Sequence, residues 1–165
     1  MTSEHLLHTI PPIYDGNSKI LILGSFPSVK SREVSFYYGH PQNRFWRVLA
    51  AVLGCSVPSS REEKIALLQS HNIALWDVIK SCDIVGSSDS SIKNAVPNDI
   101  TEILSCCDIR QIYSNGKTSE RLFNKYIKNA VGRDTVALPS TSPANASYNL
   151  ERLTDSWSVI KNNIR

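Results

Sequence analysis

Four short runs of branched and aromatic residues punctuate the chain: "ILILG" at 20–24, "IALWDV" at 73–78, "RQIYS" at 110–114 and "TVAL" at 135–138. Their apolar residues do not keep to alternate positions, which predicts strands covered on both faces rather than strands with one wet side. Between the runs the spacing changes to the helical three, four and seven. Phe45, Leu49, Val52 and Leu53 form a stripe that stops at Gly54; Ile65 and Leu68 follow the capping sequence "SREE". Ile100, Ile103 and Leu104 follow Asn98, and Leu122, Phe123, Tyr126 and Ile127 form a further stripe. Leu150, Leu153, Trp157, Ile160 and Ile164 give the clearest helix. Each strand is expected to lead into a helix.

Such alternation predicts an α/β fold, a three-layer α/β/α sandwich around a short, mostly parallel central sheet of about four strands. With 165 residues, 41% of them hydrophobic, the chain can bury a core as one domain, residues 1–165, without disulfides or metal. The stretch "VGSSDSSIKNAVPND", 85–99, is too polar to suggest an element and long for a connection, so it reads as a functional loop.

Composition narrows the possible functions. A net charge of +3 suits a polyanionic partner without requiring one. The first thirty residues hold no apolar run long enough for a signal peptide or a membrane span, so a soluble, cytoplasmic protein is expected, with no membrane partner. Cys55, Cys82, Cys106 and Cys107 form no CxxC pair, which favours buried free thiols over a zinc site or an iron-sulfur cluster. "NAS" at 145–147 matches a glycosylation sequon but lacks a secretory signal to bring it into use. "NGKTS" at 115–119 fails as a phosphate-binding loop, because Gln111 stands where that loop needs glycine.

In an open parallel sheet, ligands bind beyond the C-terminal strand ends. That rule singles out "GSFPS", "SSDSS", "SNGKTS" and "PSTSPAN". Gly24 lets the backbone turn with amides facing an anion or a base, Lys117 can meet a phosphate, and the stiff Ser/Pro loop loses little entropy when pressed against a partner. "YYGHPQNRFW", 37–46, adds Tyr37, Tyr38, Asn43, Arg44 and, just beyond, Arg47. Aromatics, an amide and cations are what stacking a base, reading its edge and holding a phosphate require. Taken singly, Asn43 is equally a helix cap, and His40 equally a partner in a structural hydrogen bond.

Taken in order, "LILGSFPS", "YYGHPQNRFWRVL", "SSDSSIKNAVPNDI" and "LPSTSPAN" resemble the uracil-DNA glycosylase superfamily, most closely its hypoxanthine-DNA (deoxyinosine) glycosylase branch, over about residues 20–157. The resemblance implies an α/β/α enzyme that hydrolyses the N-glycosidic bond of a deaminated base, preferentially hypoxanthine, in double-stranded DNA. It implies no metal or organic cofactor, and a monomer is expected. It assigns the catalytic role to Asn43 and the stack on the flipped base to Tyr38, with Tyr37 as a second aromatic. Gly24, Ser25 and Phe26, together with His40 and Asp89, are placed around the base. Lys117, Ser140, Ser142, Pro143, Ala144 and Asn145 are placed on the DNA, the "PSTSPAN" loop filling the gap that the flipped nucleotide leaves.

One departure bears on mechanism. Mismatch-specific relatives carry an Asn, and classical uracil glycosylases an Asp, where this chain has Phe26, and a phenyl ring cannot orient water. The chemistry then falls to Asn43, whose amide cannot remove a proton at neutral pH and acts through hydrogen bonds to water or to the transition state. Much of the rate would come from stabilising the departing base. No lysine is placed like a Schiff-base nucleophile, so hydrolysis without strand scission is expected. The alternatives are a mismatch-specific uracil-DNA glycosylase and a non-catalytic DNA-binding module on the same fold.

Overall fold

The structure, a computed structural model, describes residues 2–165. In chain order its elements are β1 (Glu4–Leu7), β2 (Ile20–Gly24), α1 (Val29–Val34), α2 (Phe45–Leu53), α3 (Arg61–Ser70), β3 (Ile73–Asp77), β4 (Ile79–Ile84) and β5 (Lys93–Pro97). Then follow α4 (Thr101–Cys106), β6 (Gln111–Asn115), α5 (Lys117–Tyr126), α6 (Lys128–Val131), β7 (Thr135–Leu138) and α7 (Leu150–Trp157), which continues as a 3₁₀ turn, Ser158–Asn162.

The four apolar runs form one sheet in the order β3-β2-β6-β7, and all of its pairings are parallel. Every residue of β2 is buried, because its two faces serve two different cores. Ile20 and Ile22 join Ile73, Leu75 and Tyr113 against α2, α3 and α7, where Phe45, Leu49, Leu68, Leu153 and Trp157 are shut from solvent. Leu21 and Leu23 join Ala74 and Ile112 against α4 and α5, with Ile103, Leu122 and Phe123. The helix signals act as read: Ser60 Oγ caps α3 by accepting from Glu63 N–H, and Gly54 ends α2 with a positive φ.

The expectation that each strand leads into a helix fails at β3. Asp77 and Val78 pass straight into β4, which pairs antiparallel with β1 on one side and β5 on the other. This second, three-stranded sheet packs its buried side, Ile79, Cys82 and Ile84, into the Leu21/Leu23 core. Polar 85–99, read as a loop, holds both a short 3₁₀ turn at Asp89–Ser91 and β5. The β5 residues are half-buried or exposed, so the strand rests on backbone pairing with β4 and carries no apolar signature. Of the four cysteines only Cys82 and Cys107 are buried, their thiols pushed up to about 11 chiefly by burial; Cys55 and Cys106 are exposed. No helix among the described residues is long and apolar enough to cross a membrane.

Candidate active site

A cavity of about 380 Å³ opens beyond the C-terminal ends of β2, β3 and β6. Its wall is made by residues 24–28, by Tyr37, Tyr38, His40 and Asn43 ahead of α2, by Asp77, Asp89 and Asn115, and by residues 140–144. The parallel sheet thus gathers at one rim segments far apart in sequence, in the volume range of small-molecule sites.

Asn43 sits at the seam between the α2 entrance and the 140–144 loop. Its Oδ1 accepts from Phe45 N–H at 2.9 Å, tying the first turn of α2, and from Thr141 Oγ1 at 2.9 Å. Thr141 is fully buried; its N–H donates to Asn115 Oδ1 at 3.0 Å, and its hydroxyl accepts from Asn115 Nδ2 at 3.0 Å. Backbone N–H groups at both ends of this chain can only donate, so both amide orientations are fixed. The Nδ2 hydrogens of Asn43 are therefore the free end of that side chain on the cavity wall. Cap and ligand-facing group, the two readings of Asn43, coexist in one amide.

The structure gives Arg44 a different task from holding a phosphate. Its guanidinium reaches the carbonyls of Thr141 (3.4 Å), Ser142 (2.8 Å), Asn145 (3.1 Å) and Tyr148, and its backbone N–H donates to Thr141 O. The loop is also stiffened from within: Ser140 Oγ accepts from Ser142 N–H, Ser142 Oγ accepts from Ala144 N–H, and Asn145 Nδ2 donates to Ser140 O. Ser140, Ser142, Pro143 and Ala144 line the cavity, Pro143 and Ala144 exposed at its mouth. Asn145 folds back into the loop, outside the wall. Lys117 also lies outside it, exposed at the first residue of α5, with neighbouring Gly116 packed so close to Ser140 that a Cβ would come within 3.0 Å.

At the floor, Tyr38 adopts a left-handed φ of 52°, a strained conformation for a bulky residue, and stacks on Phe45 with ring centroids 4.1 Å apart. Its hydroxyl is buried without a partner, and burial, followed by the Asp77 charge, holds that phenol well above its ordinary pKa. Tyr37 is a core residue, its hydroxyl donating to the carbonyls of Ile10 and Pro11. Gly24 is required for space: a Cβ there would meet Asp77 Oδ1 at 2.3 Å and the Tyr38 hydroxyl at 3.0 Å. Phe26 is buried edge-to-face on His8. Ser25 Oγ donates to Asp89 Oδ1 at 2.9 Å, and burial, the Asp77 charge adding to it, raises the Asp89 carboxyl above the usual range. His40 lies exposed at the rim, its Nδ1 accepting from Gln42 N–H.

Four residues of this site went unread in the sequence. Asp77 ends β3 under the cavity, His8 reaches it from just beyond β1, and Asn115 and Thr141 orient Asn43. A polar residue closing an apolar strand, as Asp77 closes "IALWD" and Asn115 closes "QIYSN", was the available signal.

Comparison with known proteins places this geometry. A sequence model of the uracil DNA glycosylase superfamily matches residues 11–162. Proteins named hypoxanthine DNA glycosylase are similar in sequence: that of Methanosarcina acetivorans is 34% identical over 152 residues, 91% of this chain and 94% of its own. That of Methanosarcina barkeri is 36% identical over 137 residues, 82% of this chain and 85% of its own. The solution NMR structure of a Methanosarcina acetivorans protein, provisionally described as a uracil DNA glycosylase, superimposes with a TM-score of 0.78 at 33% identity, covering 92% of this chain and 94% of that one. The chain belongs to the uracil DNA glycosylase superfamily.

Proposed function

We propose that this protein is a monofunctional DNA glycosylase of base-excision repair that hydrolyses the N-glycosidic bond of hypoxanthine in double-stranded DNA. The similarity to proteins named hypoxanthine DNA glycosylase supports the choice of base, and the orientation of Asn43 carries the mechanism. A flipped base enters the cavity and stacks on the Tyr38 face that Phe45 leaves free. As the glycosidic bond breaks, negative charge grows on the leaving purine and positive charge on the sugar. Asn43, with Oδ1 committed to Phe45 N–H and Thr141, offers Nδ2–H as a donor to the leaving base. It cannot take a proton from water, so water adds to an oxocarbenium-like sugar whose leaving group is already stabilised. The 140–144 loop, held rigid by Arg44, meets the DNA at the vacated position, with Lys117 beside it on the phosphates. Residues 1–165 act as one domain and as a monomer in the cytoplasm.

The test is an incision assay on labelled duplexes carrying one hypoxanthine or one uracil. Alkali-dependent cleavage at hypoxanthine, weaker cleavage at uracil and no borohydride-trapped adduct are expected. Equal cleavage at both bases would remove the preference, and stable binding without base release would make the protein a binding module. Affinity should fall steeply with salt, as phosphate contacts release counterions.

A further inference from the structure

Hydrolysis needs a group that holds the attacking water and takes its proton. Asn43, with Oδ1 committed to Phe45 N–H and Thr141 and Nδ2–H turned to the base, does neither. The other titratable side chains on the cavity wall are Tyr37, Tyr38, His40, Asp77 and Asp89. Both phenols keep their protons, burial above all holding them well above their ordinary pKa. His40 Nδ1 already accepts from Gln42 N–H, which leaves the neutral ring only a donor at Nε2. Asp77 lies at the floor against Gly24, its side chain 6% exposed and its Oδ2 2.7 Å from His8 Nε2, so a base resting on Tyr38 would lie between it and the sugar.

Asp89 differs on each count. It sits on the 3₁₀ turn of the polar 85–99 stretch, half-buried where Asp77 is shut in. Its Oδ1 accepts from Ser25 Oγ at 2.9 Å, and no donor among the described residues reaches Oδ2. The turn that carries it is clamped to the residues after β2: Ser87 Oγ accepts from Val29 N–H at 2.9 Å, and the Arg32 guanidinium donates to both Pro27 O and Gly86 O. The carboxylate is thus fixed through one oxygen and open through the other. Burial, with the Asp77 charge adding to it, opposes its ionisation, which costs stability and makes the ionised group a stronger base.

We propose that Asp89 is a catalytic residue whose Oδ2 holds the attacking water and takes its proton, and that Ser25 is the positioning residue that fixes Oδ1. The C1′–N9 bond breaks with its electron pair leaving on the purine, and the water oxygen bonds to C1′. The water's proton passes to Asp89 and from there through solvent to the released base, so hypoxanthine and an abasic sugar are the only products. Two side chains then divide the work: Asn43 Nδ2–H meets the leaving group and Asp89 the nucleophile. This role rests on the glycosylase reading proposed above.

The test is single-turnover release of hypoxanthine from a labelled duplex, followed from acid to neutral pH. Asp89→Asn still accepts from Ser25 and keeps the turn in place, but cannot take a proton. Release should slow by roughly 10²–10⁴, with little change in the Kd for a duplex carrying 2′-fluoroarabino-hypoxanthine, which resists hydrolysis. In wild type the rate should fall as acid protonates Asp89, at a pH above the ordinary 3.8; in Asp89→Asn that limb should be absent. The groups facing Asp89 are Ser25, Tyr38 from the α2 entrance, Asp77 from β3, Cys82 from β4 and Arg121 from α5; Asp77 opposes its ionisation and Arg121 favours it. All of them remain in the variant, so a limb due to any of them would persist. Ser25→Ala removes a donor to the carboxylate and should move the limb to higher pH, which a loss of packing alone would not do. Asp89→Asn releasing base at the wild-type rate, or keeping the acid limb, would overturn the assignment and leave the glycosylase reading intact. A wild type that binds the duplex but releases neither hypoxanthine nor uracil would end both.

Discussion

Thr141 Oγ1 donates to Asn43 Oδ1 across 2.9 Å, joining the loop proposed to enter DNA to the amide proposed to act on the base. Docking of the loop and orientation of the amide are therefore one event. Thr141→Val removes this bond and the one its hydroxyl accepts from Asn115 Nδ2, and should slow single-turnover excision by roughly fivefold to a hundredfold, the net effect of two neutral hydrogen bonds, with little change in DNA affinity. Thr141→Ser keeps the hydroxyl and should restore the rate. Equal defects in both variants would show a packing effect of the lost methyl instead.

Arg44 should not tolerate lysine. An ammonium cannot span the carbonyls of Ser142, Asn145 and Tyr148 that the guanidinium fork reaches. Arg44→Lys should cost about 1–3 kcal/mol in denaturant unfolding and open the 139–149 segment to proteolysis. Unchanged stability and protection would mean that the loop's internal turns hold it unaided.

Asp89 predicts a pH signature. Burial raises its carboxyl pKa, so ionising it works against the folded state. Stability from this group is fully present below its ordinary value of 3.8 and is lost as pH rises through the higher folded value. Asp89→Asn keeps an acceptor for Ser25 and should be more stable than wild type at pH 7, the gain vanishing by about pH 3. Denaturant midpoints at both pH values measure this, and a gain independent of pH would contradict it.

The parallel sheet was legible because β2, β3 and β6 are apolar on two faces and the helices between β2 and β3 are bounded by caps such as Gly54 and Ser60; β7, at the sheet edge, keeps the apolar run but leaves Val136 exposed. The antiparallel sheet was not, since Glu4–Leu7 and Lys93–Pro97 are exposed edges held by backbone pairing, without hydrophobic periodicity. In the site, segments recognisable by local composition came through: residues 24–26, Tyr38, Asn43, Asp89 and the 140–144 loop share one cavity. Residues defined by long-range partners did not. His8 and Asp77 are 69 positions apart, and neither neighbourhood signals the other. Arg44 looked like a phosphate ligand because a sequence displays its charge and hides the four carbonyls that absorb it.

The central claim is that Asn43 acts as a donor to the departing base, and Asn43→Asp tests it most directly. Aspartate can still accept from Phe45 N–H and Thr141, preserving the cap and the loop contact, but it replaces the Nδ2–H donor with a second acceptor. Single-turnover release of hypoxanthine from a labelled duplex should fall by about 10²–10³ or more in Asn43→Asp and in Asn43→Ala alike, as for loss of an oxyanion donor. An Asn43→Asp enzyme as fast as wild type would contradict the account, because it would mean that Asn43 serves as an acceptor that orients or activates water.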